Sequence, residues 1–357
     1  MNKKVASAIK CIVFLAGVVV MIALFDFFFA QSGYIRYIFK YNEQTKDEYT
    51  GLVLGASHAR SAIDPQKIDD ESGDTNTLSL AIPGETLKDS CYVLEEALRS
   101  QSNVKRVILD VDYQYWYGEI SEGYFQEAFI YNQLSWTSPV KWEYLASNLT
   151  NLDIRNALTK RNVYSISLSS IKANVEQKMS ESYKNADIYS LEVGDANGPY
   201  VGKGFFSRVL SGYKAGGMDY INNMSELYKS GICDFAVKYF NQLKKICDDK
   251  GIELICVTSP IAPSVMETLH LDVVHDDFVK FFNEQGIAYF DFNMARFDVL
   301  PRTDYDYGDL EGHMGGEPAE RYSKVLGEVL NKYTNNNLKM TDYFYETFDQ
   351  VYANVEE

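Results

Sequence analysis

Short apolar runs alternate with amphipathic stretches along much of this chain. Amphipathic stretches at 87–98, about 225–250, 272–285 and 317–332 are typical of helices, and Gly251 and Gly286 follow two of them as natural C-caps. Continuous apolar runs of this length are typical of strands buried on both faces. The runs that predict strands are 51–57, 77–82, 104–111, 252–257 and 287–292. The alternation predicts an α/β fold with a mostly parallel sheet covered by helices on both faces.

The first 30 residues have a different pattern. Lys3, Lys4 and Lys10 precede an almost wholly apolar run at 11–30, whose only charge is Asp26. Twenty helical residues span about 30 Å, the thickness of bilayer hydrocarbon. The preceding lysines predict a cytoplasmic N-terminus, with everything after residue 30 outside the membrane. A cleaved signal peptide is the alternative, but the bulky residues before Ala30 suit a signal peptidase poorly.

The remaining polarity pattern predicts the division of the chain. Residues 1–30 form the transmembrane anchor, and the polar and aromatic residues 31–50 are predicted to be a short stalk. The main domain covers 51–333, with a large insertion at about 113–225 that is rich in Tyr, Ser and Asn and has weak periodicity. No element is assigned to the C-terminal tail, 334–357.

Composition and charge argue against some classes of partner and cofactor. The 357 residues carry a formal net charge of −16, which disfavours nucleic acid as a partner. The five cysteines form no C-x-x-C pair, so we expect no zinc or redox motif. Buried free thiols are expected, with two disulfides among the four cysteines beyond the anchor as the alternative. We predict no metal and no cofactor, because His275-Asp276-Asp277 has no second ligand pair at suitable spacing.

The residues after the strands are the candidates for chemistry, since ligands of parallel sheets bind beyond the carboxyl ends of the strands. Ser57 ends the first apolar run among small residues, which predicts a strand-to-helix turn with a projecting hydroxyl. A serine nucleophile needs a base, a group that orients the base and donors for the oxyanion. The backbone N–H groups of Ser57 and of Gly84, after the second strand, are the candidate donors.

Of the four histidines, His313 is the candidate base. It lies in a glycine-rich loop before the last predicted helix, with Asp309 and Glu311 close enough in sequence to orient its ring. His58 adjoins Ser57, and side chains of neighbours at such a turn usually point apart. His270 and His275 lie in a polar loop and helix, where a surface position is expected.

These residues resemble a known family. Val53-Leu-Gly-Ala-Ser-His58, Gly84, and His313-Met-Gly-Gly-Glu-Pro-Ala-Glu-Arg-Tyr-Ser323 are similar to blocks of the SGNH (GDSL-like) hydrolase superfamily, in the same order. The membrane-anchored type, which includes the D-alanyl transfer protein of lipoteichoic-acid synthesis (DltD) and the polysaccharide O-acetylation proteins, is the most similar. The resemblance covers about 50–112 and 225–333. It implies a flavodoxin-like three-layer α/β/α fold and a Ser-His-Asp triad.

The chain departs from the family pattern at two places. The family's acid stands three residues before the histidine, where this chain has Leu310; Asp309 is the predicted acid and Glu311 the alternative. The Gly-x-Asn-Asp block that supplies an oxyanion donor is replaced by Asp110-Val-Asp-Tyr-Gln114. Gln114 is therefore the candidate for the third donor.

The resemblance implies an extracytoplasmic serine esterase or acyltransferase, in the cell membrane, that modifies a cell-envelope polysaccharide or teichoic acid. A membrane-bound O-acyltransferase partner would supply the acyl group. The alternative is a catalytically inactive SGNH-fold module that binds or assembles envelope polysaccharide, which the missing Asn block and the shifted acid motivate.

Overall fold

The computed structural model describes residues 3–73, 75–117, 124–149, 152, 154–190, 198–210, 228–309 and 312–355. The chain divides into two compact units, one made of Met1–Tyr37 and Tyr124–Ile188, the other of Ile38–Gly123 and Tyr189–Glu357. The first unit contains the apolar N-terminal helix, and the second contains the parallel sheet.

The elements alternate along the chain as the hydrophobic pattern predicts. The strands are β1 (Gly51–Leu54), β2 (Thr77–Ser79), β3 (Arg106–Asp110), β4 (Tyr200–Gly202), β5 (Phe205–Phe206), β6 (Glu253–Thr258) and β7 (Ala288–Asp291). The helices are α1 (Lys3–Phe29), α2 (Ile35–Gln44), α3 (Ser57–Ala62), α4 (Pro65–Ser72), α5 (Leu87–Ala97), α6 (Tyr124–Gln133), α7 (Pro139–Ser147), α8 (Leu168–Met179), α9 (Glu181–Asn185), α10 (Asp234–Lys250), α11 (Pro263–Met266), α12 (Leu271–Gln285), α13 (Gly316–Thr334), α14 (Met340–Tyr343) and α15 (Phe348–Ala353).

The second unit is built on a five-stranded sheet in the order β2-β1-β3-β6-β7, in which every pair is parallel. The α/β class and the parallel sheet are therefore confirmed. Every residue of β1 and β2 is buried, which explains why β1 is a continuous apolar run rather than an alternating one. The order of strands reverses between β1 and β3, and the carboxyl ends of strands at such a point leave a crevice for ligands.

Local capping explains where the helices of this unit end. Gly251 and Gly286 take left-handed conformations, each with φ of 66°, directly after α10 and α12, as predicted. The closing helix α13 packs on α3 and α4. Ser323 of α13 connects these two helices, since its hydroxyl accepts from the Asp64 N–H at 2.7 Å and donates to the Ala62 carbonyl at 3.0 Å.

The predicted stalk differs from the structure. Residues 31–50 contain α2, and its second half belongs to the core of the second unit, where Ile38 is buried. The Gln101 side-chain amide donates to the carbonyls of Asn42 and Thr45, at 3.0 and 2.8 Å. These contacts satisfy the carbonyls at the end of α2, so this segment is packed rather than an extended spacer.

The predicted insertion at about 113–225 is not one body. Its Tyr124–Ile188 part belongs to the first unit, whereas the β4–β5 hairpin belongs to the second unit; 211–227 lie outside the described residues. The hairpin packs on the edge of the sheet, where the Ser79 N–H donates to the Lys203 carbonyl at 2.8 Å. A Cβ on Gly204 would lie 2.0 Å from the Ser79 carbonyl oxygen, so only glycine fits there.

The C-terminal tail, to which the sequence assigned no element, packs beside the end of β7. The ring of Phe344 contacts Phe292, with centroids 5.3 Å apart. The Tyr345 N–H donates to the Met294 carbonyl, and the Arg296 N–H donates to the Tyr343 carbonyl, both at 2.9 Å. The tail therefore covers one side of the sheet's last strand.

The first unit contains α1, whose 27 residues include an 18-residue window with none of its residues buried. Its mean hydropathy of 2.7 makes this helix long and apolar enough to cross a membrane, and a signal sequence would satisfy the same criterion. The prediction of one apolar N-terminal helix is confirmed, although the helix begins at Lys3, before the apolar run. At its carboxyl end, the Lys178 ammonium of α8 donates to the carbonyls of Asp26 and Phe27, both at 2.8 Å.

Candidate active site

Ser57 is the first residue of α3, directly after the turn that ends β1. The turn depends on Gly55, whose φ is +145°. A Cβ at this position would lie 2.8 Å from the Ala59 Cβ and 3.1 Å from the Asp110 Cβ, so no side chain fits between the helix and β3. Ser57 is half-buried, and its hydroxyl projects from the start of the helix at the carboxyl end of β1.

His313 lies in a loop that is fixed at both ends. Tyr307 pairs with Met314 in an antiparallel bridge, and the Gly308 N–H donates to the His313 carbonyl at 2.8 Å. Gly312 takes a φ of +96° and packs so closely on Ile261 that a Cβ would lie 2.4 Å from its Cγ2. These contacts fix the described residues next to His313 on both sides and so limit the positions of its imidazole.

The structure brings Ser57, His313 and Asp309 together. The Ser57 Oγ lies 2.7 Å from the His313 Nε2, and both Asp309 carboxylate oxygens lie 2.9 Å from the Nδ1 on the other side of the ring. The His313 backbone N–H also donates to Asp309, at 3.2 Å. These distances lie in the hydrogen-bond range. With the Nδ1 proton directed to the carboxylate, Nε2 is left to accept the serine proton.

The carboxylate of Asp309 is strongly stabilised in its charged form. Burial alone would raise its pKa, but hydrogen bonds from His313 and the charges of His313 and Arg208 outweigh burial and lower the pKa to about 2. The Arg208 guanidinium lies 3.3 Å from the Asp309 Oδ2. Arg208 was not among the residues predicted from the sequence. A lone arginine in a weakly periodic stretch gives no signal that it contacts an acid 101 residues later.

Two predicted oxyanion donors lie at the ends of neighbouring strands. Ser57 begins a helix, so its N–H has no acceptor inside that helix. Gly84 follows β2 with a φ of +76°. The Ile82 N–H donates to the Gly55 carbonyl at 3.1 Å, which aligns the Gly84 turn with the turn before Ser57. The buried carboxyl of Glu85 accepts from the Ile82 N–H and the Ser90 hydroxyl, which fixes the Gly84 turn.

Of the third predicted donor, Gln114, and the alternative acid, Glu311, the structure describes only Gln114. Gln114 lies in a single helical turn after β3, where its backbone N–H donates to the Asp112 Oδ1 at 3.2 Å. Its half-buried side-chain amide is the group that remains for an oxyanion. Glu311 and Leu310 lie outside the described residues.

A buried acidic and imidazole cluster lies next to the triad, and sequence reasoning missed it. The His58 ring is buried edge-on to His313, with centroids 5.1 Å apart, and its Nδ1 lies 3.4 Å from the Asp112 Oδ2. Burial raises the pKa of Asp110 to about 7 against the opposing charge of His58. Asp110 also accepts from the Ser259 N–H at 2.9 Å. His58 therefore lies beside the triad, and the imidazole shown in contact with the Ser57 hydroxyl is that of His313.

The remaining candidate groups are two histidines and the cysteines. His275 is half-buried with its Nδ1 2.9 Å from the Asp291 Oδ2, whereas His270 is exposed. Within the described ranges, no cluster of three His, Cys, Asp or Glu side chains is arranged to bind a metal ion. All five cysteines are free thiols, and Cys91, Cys247 and Cys256 are buried.

The chain matches no model of a known protein family, and no curated protein matches it in sequence. What the site can do is therefore inferred from its own geometry. A serine hydroxyl, an imidazole, an ionised carboxylate and two backbone N–H groups at the carboxyl ends of the strands are the parts that acyl transfer through a covalent serine ester needs.

Proposed function

We propose that this protein is a membrane-anchored serine esterase or acyltransferase of the SGNH type. The observation that supports it most directly is the 2.7 Å contact between the Ser57 Oγ and the His313 Nε2, with both oxygens of Asp309 on the opposite ring nitrogen. The three residues come from two distant parts of the chain, so sequence proximity does not explain their meeting. Structural serines and histidines need no such third partner.

The chemistry follows from the arrangement. The Ser57 oxygen attacks the carbonyl carbon of an ester or thioester while its proton moves to the His313 Nε2. The Ser57 and Gly84 N–H groups stabilise the negative oxygen that forms, and Asp309 stabilises the imidazolium. The imidazolium then gives its proton to the leaving alcohol or thiol, which leaves an acyl group on Ser57. A water or an acceptor hydroxyl repeats the sequence in reverse and restores the serine.

The fold supports the same assignment. The sheet order β2-β1-β3-β6-β7 is the 2-1-3-4-5 order of flavodoxin-like folds. The helices α3, α4 and α13 pack together, and α5 packs with α10, as expected if helices cover both faces in three layers. The chain order Ser57, Gly84, Asp309, His313 is also the order of the SGNH blocks.

The setting is proposed from α1. With Lys3, Lys4 and Lys10 at its start, the helix would anchor the protein with a cytoplasmic N-terminus and the site outside the cell membrane. An acyl acceptor there would be a hydroxyl of a cell-envelope polysaccharide or teichoic acid. A membrane-bound O-acyltransferase is the proposed partner that delivers the acyl group.

The test is covalent labelling of the full-length protein with a fluorophosphonate, which reacts with activated serines. We expect labelling of the wild type at Ser57 and none in Ser57→Ala. Ser61→Ala is the matched control, because Ser61 lies one turn further in the same helix and donates only to the His58 carbonyl. Labelling that persists in a folded Ser57→Ala variant would exclude Ser57 as the nucleophile.

A non-catalytic module that binds envelope polysaccharide is the second candidate. The observation favouring it is that Asp110 and Asp112 replace the Asn-containing block, and that the Gln114 N–H is already bonded to Asp112. A folded wild type that resists the fluorophosphonate but binds purified envelope polysaccharide in calorimetry would support this candidate.

A further inference from the structure

Residues 154–175 carry a net positive charge within an acidic chain. This stretch carries Arg155, Lys160, Arg161 and Lys172 and contains no Asp or Glu, in a protein whose net charge is −16. A local basic segment in an acidic protein is a surface on which an anion is more stable than elsewhere on the molecule.

The same stretch exposes large apolar side chains. Ile154 is 61% exposed, Leu158 is 70%, Ile166 is 78% and Leu168 is 86% exposed. Single exposed apolar residues are common on protein surfaces. Four of them within fifteen residues, interleaved with basic side chains, form the combination of apolar and cationic groups that binds the surface of a membrane. We call residues 154–168 the basic collar.

The basic collar is attached to the end of α1 by main-chain hydrogen bonds. The Ser165 N–H donates to the Phe29 carbonyl and the Gln31 N–H donates to the Val163 carbonyl, both at 2.9 Å. The Tyr164 hydroxyl bonds to the Asp26 carboxylate. The collar is therefore fixed at one level of the apolar helix rather than held on a free loop.

An apolar groove shows which level this is. It is lined by Ile22 and Phe25 of α1 and by Tyr164 and Ile166 of the collar. If the hydrocarbon begins after Lys10, about 30 Å of helix brings its outer boundary near Phe29. Ile22 lies seven residues earlier, about 10 Å inside that boundary. The groove that Ile22 shares with Ile166 then opens at the depth of lipid chains.

We propose that the basic collar rests on the outer leaflet of an anionic phospholipid bilayer. Ile154, Leu158, Ile166 and Leu168 enter the acyl region, and Arg155, Lys160 and Arg161 contact lipid phosphates. This inference rests on the proposed anchoring by α1. It adds that the first unit lies against the membrane surface instead of standing away from it on a spacer.

The test uses the full chain in vesicles, with a nitroxide spin label at Ile166→Cys. Cys11 and Cys233 are first changed to Ser, since the three other cysteines are buried. Leu15→Cys in α1 serves as the hydrocarbon reference and Lys245→Cys, on an exposed part of α10, as the aqueous reference. We expect collisions with oxygen to exceed collisions with a water-soluble nickel complex at Ile166→Cys, as at Leu15→Cys. A label at 166 with the accessibility of Lys245→Cys overturns the proposal.

A second measurement varies the charge of the lipid. The label at 166 is expected to lie deeper in vesicles containing about one third phosphatidylglycerol than in pure phosphatidylcholine. Changing Arg155, Lys160 and Arg161 together to Gln is expected to abolish this difference; a difference that persists removes the role of the basic residues. Extraction of the whole protein by alkaline carbonate would instead refute the anchor, while a retained protein with an aqueous label refutes only the collar.

Discussion

The Arg208 guanidinium lies 3.3 Å from the Oδ2 of Asp309, the same carboxylate that bonds to the His313 ring. Arg208 lies two residues after the β4–β5 hairpin, which packs on β2. A segment with no similarity to the SGNH blocks therefore contacts the acid of the triad directly.

Removing this cation tests its contribution. Arg208→Gln should lower kcat/KM for p-nitrophenyl acetate a few-fold, because a partly exposed ion pair contributes on the order of 1 kcal/mol or less. Arg208→Lys keeps the charge and should retain most of the activity. Equal losses in both variants would mean that the planar guanidinium matters through packing rather than through charge.

The choice between the two candidate acids is also testable. Asp309→Asn should lower kcat by roughly 10⁴-fold, the order found when a triad acid is replaced by its amide. Glu311→Gln should stay within about twofold of wild type, because both oxygens bonded to the His313 Nδ1 belong to Asp309. Steady-state kinetics on variants with wild-type melting temperatures gives the answer, and the opposite ranking would make Glu311 the acid.

Gly55 is the backbone position on which the turn before Ser57 depends. Gly55→Ala should destabilise the protein by more than about 2 kcal/mol and lower activity, since its Cβ would collide with Ala59 and Asp110. Gly73→Ala is the matched control, because Gly73 has a φ of +73° but no atom within 4 Å of an added Cβ. It should lose only the left-handed backbone penalty, about 1 kcal/mol. Denaturant unfolding measures the loss in free energy of unfolding for each variant. Equal losses would mean that the structure around Gly55 shifts to accommodate the added Cβ.

The buried carboxyl of Asp110 predicts a pH-dependent stability. Burial raises its pKa to about 7, above the ordinary value of 3.8, so the folded protein binds more protons than the unfolded chain between these limits. The contribution of Asp110 to stability is thus greatest below pH 4 and decreases as the pH rises to about 7. Asp110→Asn should gain in melting temperature relative to wild type across this window. A difference that does not change with pH would contradict the raised pKa.

Much of the sheet could be predicted because it is buried on both faces. Strands such as β1 and β6 are continuous apolar runs, and the glycines after α10 and α12 mark helix ends through local backbone chemistry. Ser57 and His313 could be proposed as partners for a related reason. Residues that follow parallel strands meet at one edge of the sheet, whatever their separation along the chain.

The parts that sequence did not predict depend on distant contacts. The tail helices α14 and α15 have four and six residues, too short for a periodic signal. The tail is fixed instead by pairing with the residues after β7 and by packing of Phe344. His58 was set aside because the side chains of neighbours at such a turn usually point apart. In the structure its ring nevertheless lies edge-on to that of His313.

The attachment at the end of α1 has a practical consequence for work on soluble fragments. A chain shortened to begin after Ala30 would lose the carbonyls that bind the Lys178 ammonium and the residues that form one wall of the groove beside Tyr164. Such a fragment would expose the Lys178 ammonium and the apolar groove together. It would therefore aggregate or bind detergent more readily than the intact protein. Purification with the helix retained in a nanodisc avoids creating that surface.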